Sequence, residues 1–184
     1  EFKPALATPA EIGNAFFEMW VNWAKEPEKL MEAQLNYMEE YTKLLDNMHD
    51  RYVDEESKQP MFKPDLKDKR FKDEVWHHHP VFDFIKQNYL FNGAWLQKMV
   101  EQTDNLDDKK RQKLRFFTQQ FIDAMSPTNF LLTNPEVLRE TVESKGENLI
   151  KGLENLLKDL ESSKGAFQVS MTDYKAFEVG KNLA

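Results

Sequence analysis

The sequence predicts an all-α chain, an irregular multi-helix domain with N-terminal amphipathic helices and an extended, strand-like C-terminal tail. Three observations predict it. Apolar residues recur at spacings of three and four through most of the length, the period of a helix with one buried face. Polar-plus-proline pairs, Thr8-Pro9 and Asn134-Pro135, stand where such stretches begin. Glycine supplies 6 of 184 residues, about half the usual share of roughly 7%, and a β protein with many turns needs more.

The first helix starts at Thr8-Pro9-Ala10-Glu11, where Thr8 can N-cap, Pro9 suits the first helical position and Glu11 can close a capping box. Ile12, Phe16, Met19 and Trp23 follow on one face, widened by Phe17, Trp20 and Val21. Pro27 ends or restarts the helix. A second helix is predicted from about Glu28 to Val53, with Leu30, Tyr37, Tyr41, Leu44, Met48 and Tyr52 on its apolar side and Glu39–Lys43 as a supporting i, i+4 pair. Residues 54–73, charged and holding Pro60 and Pro64, read as a linker. A helical body over 74–164 follows. It is broken at Pro80, and resumes with Ile85, Tyr89, Leu96 and Val100 on one side. Asp107 or Asp108 starts the next helix, whose face is Leu114, Phe117, Phe121 and Met125, and Pro127 stops it. Asn134-Pro135-Glu136 opens a helix carrying Val137, Leu138 and Val142, which Gly146 breaks. Leu149, Leu153, Leu156 and Leu160 form the last stripe, ended by Gly165. Gly152 interrupts it at a cost of about 1 kcal/mol relative to alanine; close approach of another helix would explain it, and an exposed, merely tolerated glycine is the alternative. Over 165–184 the period changes to two: Phe167, Val169 and Met171 alternate with Gln168 and Ser170. A lone strand needs a ladder partner. Phe177, Val179 and Leu183 carry apolar side chains to the last residue. The expectation is a chain cut from something longer, since it starts with Glu1, and a sheet-bearing partner after it.

Composition excludes several functions. The 25 basic and 32 acidic residues leave a net charge of −7, which argues against nucleic-acid binding through overall positive charge. Mean hydropathy is −0.72, yet 14 Phe, 4 Trp and 5 Tyr can build a core, so disorder throughout is not expected. Cysteine is absent, which removes disulfides, thiolate metal sites and a cysteine nucleophile and fits a cytoplasmic protein. No apolar run approaches the ~18 residues of a membrane span, and the opening residues do not read as a secretory leader.

Some residue groups invite a sharper reading. His77-His78-His79 suggests a metal, but adjacent side chains on a helix diverge by about 100° and cannot easily close on one ion; a surface or packing cluster is the expectation. Ser126 and Ser170 lack a nucleophile elbow and read as a helix stop and a strand's polar face. The basic clusters Lys63 to Lys72 and Asp107 to Arg115 could meet an anionic substrate or acidic partner, but charge runs are usually solvated. The aromatic first helix is the main functional candidate: Phe16, Phe17, Trp20 and Trp23 either pack on the 28–53 helix or face a protein or hydrophobic particle.

Long, ordered strings resemble a known family. They are Asp68-Lys69-Arg70-Phe71, Trp76, His79-Pro80-Val81-Phe82-Asp83-Phe84-Ile85-Lys86-Gln87-Asn88-Tyr89 and Arg115-Phe116-Phe117-Thr118. The densest is Ser126-Pro127-Thr128-Asn129-Phe130-Leu131-Leu132-Thr133-Asn134-Pro135-Glu136-Val137-Leu138-Arg139-Glu140-Thr141. Gly146-Glu147-Asn148-Leu149, Gly152-Leu153-Glu154-Asn155-Leu156-Leu157 and Ala176-Phe177-Glu178-Val179-Gly180-Lys181-Asn182-Leu183-Ala184 continue it. Residues 68–184 resemble the N-terminal region of class I polyhydroxyalkanoate synthases, the poly(3-hydroxybutyrate) polymerases; residues 1–67 match loosely.

The resemblance implies a parent acyltransferase that joins (R)-3-hydroxyacyl units from coenzyme A thioesters into polyester, using a Cys, His and Asp in an α/β-hydrolase domain that would begin after Ala184. No catalytic, cofactor or metal residue is carried onto this chain. The expected role is non-catalytic: docking to that domain through Phe130, Leu131, Phe167, Val169, Met171, Phe177 and Val179, self-association into dimers, and contact with a granule-associated protein or the polyester granule in the cytoplasm. A self-contained, phasin-like granule-coating protein is the alternative, and a metal-assisted hydrolase using His77–His79 a third reading.

Overall fold

The computed structural model describes residues 9–53, 59–65 and 67–162, without the side chains of Pro9, Glu11 and 159–162. Thr8, Leu160 as a stripe residue, and Phe167, Val169, Met171, Phe177 and Val179 as docking residues lie outside what is described. The described residues are all-α. The helices are α1 (Pro9–Ala24), α2 (Pro27–Val53), α3 (Val75–His78), α4 (Pro80–Glu101), α5 (Asp108–Ala124), α6 (Pro135–Glu143) and α7 (Glu147–Ser162). Single 3-10 turns occur at Lys69–Phe71 and Pro127–Asn129.

Local chemistry sets most boundaries. Pro27 restarts the helix rather than ending it, and the joint is tight: the Glu26 amide donates to Trp23 O at 3.1 Å. His79 is extended (φ −92°, ψ 119°), as a residue before proline prefers, so α3 stops and Pro80 opens α4. Asp107 is the N-cap of α5, its carboxylate accepting from the Lys110 amide at 2.8 Å. After α6, Lys145 (φ 52°) and Gly146 (φ 88°) turn left-handed, a conformation glycine adopts without penalty.

The chain divides into two compact units at Pro135/Glu136. In the first, α4 is central and packs against α2, α3 and α5, while α1 packs on α2 and α5. One core cluster joins Met19 and Trp23 of α1, Met99 and Val100 of α4 and Leu114 of α5. Fully burying each such side chain is worth roughly 1.5–3 kcal/mol. An aromatic cluster joins α2 to α4: Tyr37 meets Phe91 at 5.0 Å and Trp95 at 5.1 Å, and Phe62 meets Phe91 at 5.8 Å. Below it, Phe71 and Trp76 meet edge-on at 5.1 Å.

Helix α5 presents a different face from the expected one. Its buried side chains are Leu114, Thr118 and Ile122, while Phe121 and Met125 are exposed. The reason is Gly93 of α4. A Cβ there would stand 3.1 Å from Ile122 Cγ2, so the missing side chain lets the Ile122 stripe approach α4; Phe116 and Phe121 are left exposed and Phe117 half-buried.

The second unit holds α6 and α7. Asn148 donates to Thr141 Oγ1 at 2.9 Å across the connecting turn. Leu149, Ile150, Leu153, Leu156 and Leu157 of α7 are all exposed.

A candidate apolar groove and a buried polar cluster

The aromatic residues of α1 separate by helical geometry. The i, i+4, i+7, i+11 stripe of Ile12, Phe16, Met19 and Trp23 turns inward, and Phe17 (68% exposed) and Trp20 (55%) face water. Trp23, expected among the partner-facing residues, is 3% exposed and belongs to the core; its indole N–H donates to Thr103 Oγ1 at 2.9 Å. Thr103 in turn donates to Met99 O at 2.7 Å. Phe16 is half-buried against the core.

Between α1, α4 and α5 lies a groove of about 490 Å³. Met19, Met99 and Val100 form its floor; Phe16, Trp20, Trp95 and Phe121 stand among its walls. Among the described residues Thr118 supplies the one hydroxyl lining it, Trp20 and Trp95 bring indole N–H groups, and no ionisable side chain lines it. Hydrophobic periodicity identifies Phe117 and Phe121 but passes over Thr118.

A second, larger cavity of about 860 Å³ opens on a polar cluster made by α2, α3 and α4. Lys86 is 1% exposed. Its ammonium donates to Trp76 O and to His77 Nδ1 at 3.2 Å and lies 3.0 Å from Asp83 Oδ1. Asp83 also pairs with Arg51 at 2.9 Å. Burial pushes Lys86 below its ordinary range, and Asp83 opposes the shift. An ammonium has donors only, so His77 Nδ1 accepts and the proton sits on Nε2, which donates to Phe71 O at 3.0 Å. Burial, then Lys86, lowers the His77 pKa below 6.5. Beside this cluster the Gln87 amide clamps the Phe62 backbone, donating to its carbonyl at 2.7 Å and accepting from its N–H at 3.0 Å.

The histidines do not converge: His77 turns to Phe71 and Lys86, and His79 packs edge-on against Phe82 at 5.2 Å. Among the described residues no three His, Asp or Glu side chains gather as a metal site. Ser126 is buried, with its hydroxyl 2.8 Å from Thr128 Oγ1. In the basic clusters, Arg70 forks onto Asp68, reaches Tyr89 and pairs with Asp123. Lys110 pairs with Glu18, Arg115 with Glu101, and Arg111 caps the end of α4. Those charges are taken up by contacts within the chain. Phe130 and Leu131 are exposed beside the Pro127–Asn129 turn. Among the described residues no helix is long and apolar enough to cross a membrane.

Comparison with known proteins agrees with the resemblance. Residues 67–184 match a family model described as the N-terminus of poly-beta-hydroxybutyrate polymerase (PhaC). Over 88% of its length the chain is 40% identical to a poly(3-hydroxyalkanoate) polymerase of Methylorubrum extorquens, covering 27% of that protein. It is 36% identical to the poly(3-hydroxyalkanoate) polymerase subunit of Rhizobium meliloti over 88% of the chain and 26% of the relative. It is 38% identical to that of Cupriavidus necator over 86% of the chain and 25% of the relative. The chain thus spans about a quarter of the length of these curated relatives. No solved structure matches it. With a family match across more than half its length, this chain belongs to the family of poly-beta-hydroxybutyrate polymerase N-termini.

Proposed function

We propose that this chain is the non-catalytic helical portion of a polyhydroxyalkanoate synthase, and that it works by contact: it docks on the portion that forms polyester from (R)-3-hydroxyacyl thioesters, promotes dimerisation, and associates with the polyester granule or a granule protein in the cytoplasm. The observation that carries this reading is the apolar surface left in water. Phe17 and Trp20 on α1, Phe130 and Leu131 after α5, and the leucine face of α7 are all exposed in a chain of net charge −7. Exposed apolar patches of this kind mark interaction surfaces.

Two measurements test it. The chain is mixed with a separately made catalytic portion from the same gene; complex formation and a changed rate of polymerisation are expected, and the absence of both overturns the docking role. Phe17→Ser combined with Trp20→Ser should leave folding intact, because both side chains are exposed, while weakening dimerisation or granule localisation. Unchanged behaviour in both assays removes α1 from the function.

A further inference from the structure

We propose that the outer face of α2 is a coiled-coil seam for a helix of another protein whose flanks carry lysine or arginine. Helix α2 has two apolar stripes. One is used up within the chain: Leu44 is buried, and Tyr37 and Tyr41 both meet Phe91 of α4. The other lies one residue further on, about 100° around the helix. Met31, Leu35, Met38, Leu45 and Tyr52 are all exposed there, Leu35 by 64% and Met38 by 54%. Thr42 and His49, also exposed, fill the two positions between. The spacing alternates four and three without a break from Met31 to Tyr52. That is a heptad seam held for three repeats, about 33 Å long, with Met31, Met38, Leu45 and Tyr52 at d and Leu35, Thr42 and His49 at a. Its last turns border the cavity of about 860 Å³. Polar residues at a positions fix register at a cost in stability. Thr42 already donates to Met38 O at 2.9 Å, so a partner can cover it without leaving the hydroxyl unpaired.

Charge names the occupant. Glu32, Glu39 and Asp46 each follow a d residue, so they form one acidic row at the e positions beside the seam. The three basic residues of α2 are engaged elsewhere: Lys29 with Asp104, Lys43 with Glu39 and Glu40, and Arg51 with Asp83. The Glu39–Lys43 pair is open to water, where such pairs are worth little, and no base of α2 remains for Glu32 or Asp46. A second copy of this chain does not supply the counter-charge. In an antiparallel pair its acidic row would lie on this one; in a parallel pair the row would meet Gln34, Tyr41 and Met48, which carry no charge. A helix with lysine or arginine on its flanks answers all three acids, and opposite flanking charge selects partner and orientation in coiled coils. This seam is separate from the faces that carry the docking and granule reading, so either can fail while the other stands.

The test titrates the whole chain with three synthetic peptides, read by calorimetry. The first is a four-heptad helix with leucine at a and d and lysine at e and g. The second is its twin with glutamate for lysine. The third has the composition of the first with the leucines moved off a and d. Saturable binding of the lysine peptide is expected, about tenfold tighter than the glutamate twin and weakening as salt rises. The permuted peptide should bind no better than the twin. Leu35→Ser with Met38→Ser alters only exposed side chains; it should keep the circular dichroism spectrum and lose the binding. Glu32→Lys with Asp46→Lys should turn the preference toward the glutamate peptide. Phe17→Ser with Trp20→Ser should leave binding unchanged. Equal binding of the twin or of the permuted peptide would overturn the proposal, as would full binding by the Leu35→Ser, Met38→Ser variant. So would no binding of the lysine peptide at all. If that variant then also lowers self-association in sedimentation, the seam belongs to a second copy.

Discussion

Trp23 and Thr103 show how one side chain can be misplaced by composition and placed by bonding. Trp23 sits among exposed aromatic neighbours in sequence, but its N–H has a buried acceptor in Thr103, eighty residues on. Thr103→Val would leave that N–H unpaired and remove the Thr103 donation to Met99 O. Stability should fall by about 1–3 kcal/mol, read as a lower urea midpoint, and Thr103→Ser should recover most of it. Phe17→Ser, one turn from the core but exposed, should stay within about 0.5 kcal/mol of the parent. His77 gives a second residue-scale expectation, in pH. Its folded pKa lies below the unfolded value near 6.5, so between the two the unfolded chain holds more protons. Stability is then complete above pH 6.5 and is lost as pH falls through the lowered value. Burial first, then Lys86 and His78, push in this direction, and the Phe71 carbonyl and Asp83 oppose it. Urea midpoints at pH 5 and pH 7 should differ in the parent, and His77→Gln should flatten the difference. An equal slope in both proteins would remove His77 as the titrating group.

The joint between α4 and α5 depends on a side chain from the following helix. The Arg111 guanidinium donates to Val100 O, Glu101 O and Thr103 O at 2.8–2.9 Å, satisfying carbonyls that the end of a helix leaves open. Arg111→Lys keeps the charge but cannot reach three acceptors with a fixed planar fork. It should cost about 1–2 kcal/mol and speed amide exchange in the last turn of α4 while leaving α2 unchanged. Elements of this kind divide what the sequence discloses from what it hides. Helix starts were legible because they depend on neighbours: Pro27, Pro80 and Asp107 act within a few residues. The buried stripe of α1 was legible because it is purely apolar. The inward faces of α4 and α5 were not. Asp83, Lys86 and Gln87 are buried because Arg51, Trp76 and Phe62 meet them from elsewhere in the chain. Hydrophobic spacing carries no trace of such distant partners. Thr118 was passed over because a hydroxyl breaks an apolar pattern, and Gly93 meets Ile122 of α5 through a contact that no local pattern encodes. Of the candidate site, Phe16 and Trp20 could be read in advance; the groove itself could not, since it needs three helices at once.

For the molecule as a whole, the governing fact is a net charge of −7 alongside apolar faces that no described contact covers. Like charge keeps copies apart at low salt, and screening weakens that repulsion without weakening apolar contact. Self-association should therefore strengthen as salt rises from 50 to 500 mM, by sedimentation; association carried by ion pairs would do the reverse. Helix α7 is the place to test which face is responsible. Leu153→Gln with Leu156→Gln alters its exposed apolar stripe and touches no part of the core, so the fold of the first unit should persist while salt-promoted association falls. Gly152 sharpens the test. Nothing lies within 4 Å of a Cβ built there, so Gly152→Ala should raise helicity, gaining about 1 kcal/mol in helix propensity. If a partner helix packs closely over this point, the added methyl that stabilises α7 in isolation will obstruct the complex. Higher helicity with weaker binding to the catalytic portion is the expected pair of results. Higher helicity with unchanged binding would mean that the partner approaches from another side of the helix.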